Sequence, residues 1–102
     1  MEKYFLILII DSIDNAVKLA TELRILKDVS FVVVSENKSD CYYQIGAILM
    51  DGFGYKLEVC CNGFNPEIKG VLKEYKSSLL MAYCTKTDVV FNADSIDFID
   101  ED

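Results

Sequence analysis

Tyr42-Tyr43-Gln44-Ile45-Gly46-Ala47-Ile48-Leu49-Met50-Asp51-Gly52-Phe53-Gly54-Tyr55-Lys56-Leu57-Glu58-Val59-Cys60-Cys61 is the stretch on which the fold reading turns. It predicts two strands, 42–50 and 55–61, folded back on each other across Asp51-Gly52-Phe53-Gly54. Asp-Gly between two β-rich runs is a hairpin signal, because both central turn positions need positive φ. In the second run Tyr55, Leu57, Val59 and Cys61 alternate with Lys56, Glu58 and Cys60, so one face of the sheet is apolar.

Working outward, Tyr4 to Ile10 is apolar at every position and predicts an interior strand with both faces covered. Asp11 offers a helix cap, and Ile13, Ala16, Val17, Leu19, Ala20, Leu23 and Leu26 follow at helical spacing to about Lys27. Val29 to Val34 predicts a second strand, joined to the first as a parallel pair by a right-handed crossover. Beyond the hairpin, Asn65-Pro66-Glu67 is a helix start, with Asn as cap and Pro where its missing N–H costs nothing. Ile68, Val71, Leu72, Tyr75, Leu79 and Ala82 hold one helical face to about Tyr83, and Lys69, Lys73 and Lys76 fall on the solvated side. Asp88-Val89-Val90-Phe91 is a short final strand. The expected architecture is α+β, in the order β-α-β-β-β-α-β: a mainly antiparallel sheet with two helices packed on one face, a ferredoxin-like variant.

Residues 1–91 are expected to form one α+β domain and residues 92–102 an acidic C-terminal tail. Of the 17 acids, eleven lie between Met1 and Thr87 against ten bases, while Asp88 onward holds six acids and no base. No basic cluster is present to displace counterions from phosphates, which argues against direct nucleic-acid binding. The longest early apolar run is far short of the roughly 20 residues of a membrane span. Asp11 follows it at once, unlike a secretory signal, so a cytoplasmic protein is expected.

Tyr43-Gln44-Ile45-Gly46, then Gly54-Tyr55-Lys56-Leu57, then a helix containing Tyr75, resembles the central part of the domain of unknown function 1257 family of small bacterial and plastid proteins. The similarity covers about half the chain. Gln44 stands where that pattern has an acid, and Cys60 and Cys61 stand where it has another. The resemblance implies a fold and carries over no site, because the family's activity is not established.

The chain has no histidine, the commonest general base and the usual partner of a Ser or Cys nucleophile. Cys41, Cys60, Cys61 and Cys84 lack the spacing of a zinc site and read as reduced, buried thiols. Cys61 lies closest to a helix start but continues the Tyr55-Leu57-Val59 face. Asp51-Gly52-Phe53-Gly54 lacks the Lys and Ser/Thr of a phosphate loop and joins two strands, so it reads as a turn. No catalytic residue, metal ligand or cofactor is assigned.

What is left is surface. Two helices cover one face of the sheet, so the apolar second face needs the tail, hairpin side chains or another subunit. The candidate partner-binding residues are Asp94, Asp97, Phe98, Asp100, Glu101 and Asp102 in the tail, with Phe53 and Tyr42 as aromatics near loop tips. Ile96 and Phe98 are expected to tuck onto the body. The favoured function is a non-enzymatic protein-binding domain. By analogy it is an acidic inhibitor of toxin-immunity or phage anti-defence type, covering the basic surface of a nucleic-acid-binding protein. A self-assembling scaffold that dimerises through its sheet face, and a small-molecule-binding domain, are the alternatives.

Overall fold

The structure, a computed structural model, describes residues 3–35, 42–45, 48–51 and 54–99. Its elements are β1 (Tyr4–Ile10), α1 (Ile13–Arg24), β2 (Val29–Val34), β3 (Tyr42–Ile45), β4 (Ile48–Asp51), β5 (Tyr55–Cys61), α2 (Pro66–Glu74), β6 (Leu79–Cys84), β7 (Val89–Phe91) and a 3-10 turn at Ile96–Phe98. The class is α+β, as the sequence predicts. A five-stranded sheet in the order β2-β5-β1-β6-β7 has every neighbouring pair antiparallel, and β3 and β4 form a separate two-stranded sheet.

Three details differ from the expected order. The 42–50 strand is two short strands paired with each other, Tyr42 opposite Asp51 and Ile45 opposite Ile48. β5 pairs with β1 (Tyr4 opposite Cys61, Ile10 opposite Tyr55) and with β2 (Val34 opposite Leu57) instead of closing a hairpin with the preceding run. For the same reason β1 and β2 are not a parallel pair: β5 lies between them.

The third difference is at α2. It stops at Glu74, and Leu79–Cys84, read in the sequence as its continuation, is strand β6 on the other edge of β1. The stop is built locally. Tyr75 N donates to Leu72 O at 3.1 Å and Lys76 N to Lys73 O at 3.2 Å, tightening the last turn. Ser78 is then fixed to the start of α1: Asp11 N donates to its carbonyl at 3.0 Å and Asn15 Nδ2 to its hydroxyl at 2.8 Å.

The helix starts follow capping chemistry. Ser12, not Asp11, caps α1, its Oγ accepting from Asn15 N at 3.2 Å. Asn65 caps α2 as expected: its Oδ1 accepts from Ile68 N at 3.0 Å, and its Nδ2 donates to Asp28 Oδ2 at 2.6 Å. That second bond ties the start of α2 to the turn before β2.

One face of β1 carries Tyr4, Leu6, Leu8 and Ile10, which share a core with Leu57, Val59 and Cys61 of β5. Ala16, Leu19, Ala20 and Leu23 of α1 and Ile68 and Leu72 of α2 belong to the same cluster. Each fully buried Leu or Ile contributes about 1.5–3 kcal/mol of transfer free energy. The C-terminal segment joins this core through Phe91, Ile96 and Ile99.

Candidate functional site

Alternation along the strands leaves a second sheet face that points away from that core. On β1 it carries Phe5, Ile7 and Ile9; the register aligns Phe5 with Cys60 and Phe31, and Ile7 with Glu58 and Val33 on one side and Tyr83 on the other. Phe5 is 43%, Phe31 45% and Val33 50% exposed. The Phe5 and Phe31 rings meet edge to face at 6.0 Å between centroids, over Cys60, which is buried. Ile7, Met81 and Val90 pack around Tyr83 in a small second cluster. The interior strand expected from Tyr4–Ile10 is thus buried fully on one face and half open on the other.

Among the described residues, this face carries few polar groups. Lys56 Nζ and Glu58 Oε1 pair at 3.1 Å on β5. Tyr83 Oη donates to Asp88 Oδ1 at 2.6 Å, and this carboxylate bond holds the phenol proton and raises its pKa. Asp88 takes a φ of 54°, in the left-handed region, which places its side chain back over β6.

Three of the sequence-predicted residues, Asp94, Asp97 and Phe98, lie in the C-terminal segment. Asp94 and Asp97 are exposed near the 3-10 turn. Asp97 is held by Lys73 Nζ at 2.6 Å. Phe98, expected to tuck inward, is 85% exposed, and Ile99 occupies the core with Ile96 instead. Asp94 borders an open cleft of about 380 Å³ with Lys76, Ser77, Leu80 and Asn92. Tyr42 lies in β3, opposite Asp51. Phe53, Asp100, Glu101 and Asp102 lie outside the described residues. The structure therefore gathers Asp94, Asp97 and Phe98 at one end of the chain.

Lys69 is the polar side chain that helical spacing misplaces. It is buried, donates from Nζ to Ile99 O at 2.5 Å, and lies 5.2 Å from the Phe64 ring centroid. Its cover comes from the C-terminal segment, 30 residues away in sequence. No periodicity within α2 signals that.

Burial pushes the Cys61 thiol up to about 12, with further upward contributions from the neighbouring thiols Cys60 and Cys84, and its Sγ donates to Tyr4 O at 3.7 Å. It is a protonated core group at neutral pH. No helix among the described residues is long and apolar enough to cross a membrane. Comparison with known protein families, curated proteins and solved structures finds no match to this chain.

Proposed function

We propose that this chain is a non-enzymatic protein-binding domain that docks through the sheet face carrying Phe5, Phe31 and Val33. The supporting observation is that three large apolar side chains, Phe5 on β1 and Phe31 and Val33 on β2, are each left 43–50% exposed on one face, with the two rings meeting across β5. Contiguous apolar surface of this kind is characteristic of interfaces, and aromatic residues are enriched in them. In this reading the fold is a ferredoxin-like variant: β1, α1, β2, β5, α2 and β6 supply the plan, both helices cover one face, and β7 extends the edge. The resemblance to the domain of unknown function 1257 family belongs to the same proposal and bears on the fold alone.

The acidic-inhibitor reading draws on a different observation, the 85% exposure of Phe98 between Asp97 and the chain's last acids. Lys73 already engages Asp97, so this end presents less free negative charge than its composition implies. We assign it a steering role towards basic partners.

A photo-crosslinking residue placed at Val33 in the intact chain, in its native cell, tests the docking face. A control at Val17, 49% exposed on α1, samples a surface outside it. Protein adducts are expected from position 33 and not from position 17. Equal yields at both positions, or none at 33, would overturn the assignment.

A further inference from the structure

We propose that the cleft between the end of α2 and the end of β7 binds a free α-amino acid with an apolar side chain. Lys76 takes the carboxylate, Asp94 takes the ammonium, and Leu80 lies beneath the side chain. The cleft is at the β7 edge of the sheet, opposite the β2 edge.

An irregularity in β6 opens it. Ile9 of β1 faces Met81 and Ile10 faces Leu79, so Leu80 faces no residue of β1. The pairing of β6 with β7 ends at Ala82 opposite Phe91, so Leu80 has no partner there either. An extra residue in one strand re-aims a side chain and stops pairing. Here Leu79 enters the core and Leu80 turns outward, half exposed, at the floor of the cleft. Both walls are pinned by their own bonds. Asn92 Oδ1 accepts from Asp94 N at 2.9 Å and Ser95 N at 3.1 Å, and Ser78 N and Leu79 N both donate to Tyr75 O at 2.9 Å. A site held in this way does not have to be ordered by its ligand.

The charges select the ligand. Lys76 and Asp94 border the same cleft, and among the described residues neither charged group has an ion-pair partner. A simple anion drawn to Lys76 meets the carboxylate of Asp94, and a simple cation meets the reverse. A ligand bearing both charges satisfies both residues, and an apolar group between them covers Leu80. An α-amino acid is the smallest molecule with that arrangement. The cleft, about 380 Å³, is at the small end of ligand sites and open to solvent, which sets the expected affinity in the millimolar range.

Two-dimensional amide NMR spectra of the intact chain, titrated with L-leucine, read the site. The signals of Ser77, Leu80, Ala93 and Asp94 are expected to shift together and saturate. N-acetyl-L-leucine lacks the ammonium and L-leucinamide lacks the carboxylate; each is expected to bind about fivefold more weakly, the upper end for an exposed ion pair. Glycine, which leaves Leu80 uncovered, is also expected to bind more weakly. Lys76→Gln should lose the preference for leucine over leucinamide, and Asp94→Asn the preference for leucine over N-acetyl-leucine. Both are surface substitutions, and the remaining signals report whether the fold is intact. The absence of a saturable shift overturns the proposal. So do equal affinities for leucine and its two blocked forms, glycine binding as tightly as leucine, or preferences that survive in both variants.

Discussion

Phe5 and Phe31 come from strands that are not neighbours, yet their rings touch edge to face at 6.0 Å, bridging β5 above Cys60. The pair does two things at once. It shields a thiol that would otherwise lie open on the sheet surface, and it leaves the outer part of both rings in water.

Removing one ring should therefore expose the thiol before it endangers the fold. In a Cys41→Ser background, Phe31→Ala is expected to make Cys60 react with an aromatic disulfide reagent under native conditions, while Cys61 and Cys84 stay unreactive. An edge-to-face pair is worth about 0.5–1.5 kcal/mol beyond area burial, so the stability loss should be modest. Peptide mapping after labelling checks the site; an unreactive Cys60 would show that the rings are not its cover.

Lys69 should hold the C-terminal segment. Lys69→Met keeps the aliphatic stem and loses the donor to Ile99 O, and a hydrogen bond from a charged group is worth about 1.5–3 kcal/mol. The expected result is a destabilisation of that order in urea, with faster chymotryptic cleavage after exposed Phe98. Cleavage at the wild-type rate would mean that Ile96 and Ile99 alone anchor the segment.

The Tyr75 hydroxyl donates to a Glu22 carboxylate oxygen, joining α2 to α1. Desolvation first, then this bond, pushes the phenol from 10.0 up to about 12. A raised folded-state value favours the protonated form. Its contribution to stability is complete below pH 10 and is lost as pH rises towards 12. Tyr75→Phe should remove that pH dependence and cost about 1 kcal/mol at neutral pH. Ultraviolet difference titration of the two proteins locates the missing phenol; ionisation near pH 10 in the folded wild type would refute the bond.

Two glycines should respond in opposite directions to alanine. A Cβ on Gly54 would lie 2.6 Å from Ile9 Cγ2 and 2.7 Å from the Ile10 carbonyl oxygen, and the second contact is backbone. Gly54→Ala is expected to cost about 1–3 kcal/mol. Gly70, inside α2, has nothing within 4 Å of the added carbon. Gly70→Ala should stabilise by about 0.5–1 kcal/mol through helix propensity. Thermal melts of both variants read the two signs.

Much of this fold is legible in short-range signals, and what is missed depends on distant partners. Period-2 alternation in Tyr55–Cys61 identifies β5 and its buried face, and Asn65-Pro66 identifies the start of α2. Leu79–Cys84 keeps helical spacing with Tyr75, so nothing within the run shows that β1 will draw it off as a strand. The partner of β5 is equally invisible: Asp-Gly predicts a turn, and the turn does not decide which edge the next strand joins. At the docking face, the unbroken apolar run of β1 signals a second surface. The pairing of Phe5 with Phe31 needs the β2-β5-β1 order, which local sequence does not encode.

The position of β5 also sets an order of events during synthesis. Strand β5 lies between β1 and β2, so those two emerge from the ribosome with the slot between them empty. Neither finds its neighbour on that side until residue 61 has been made and is clear of the exit tunnel. The amino-terminal half of the chain is consequently a waiting state, exposed to rival pairings, and the sheet closes late, around its own middle.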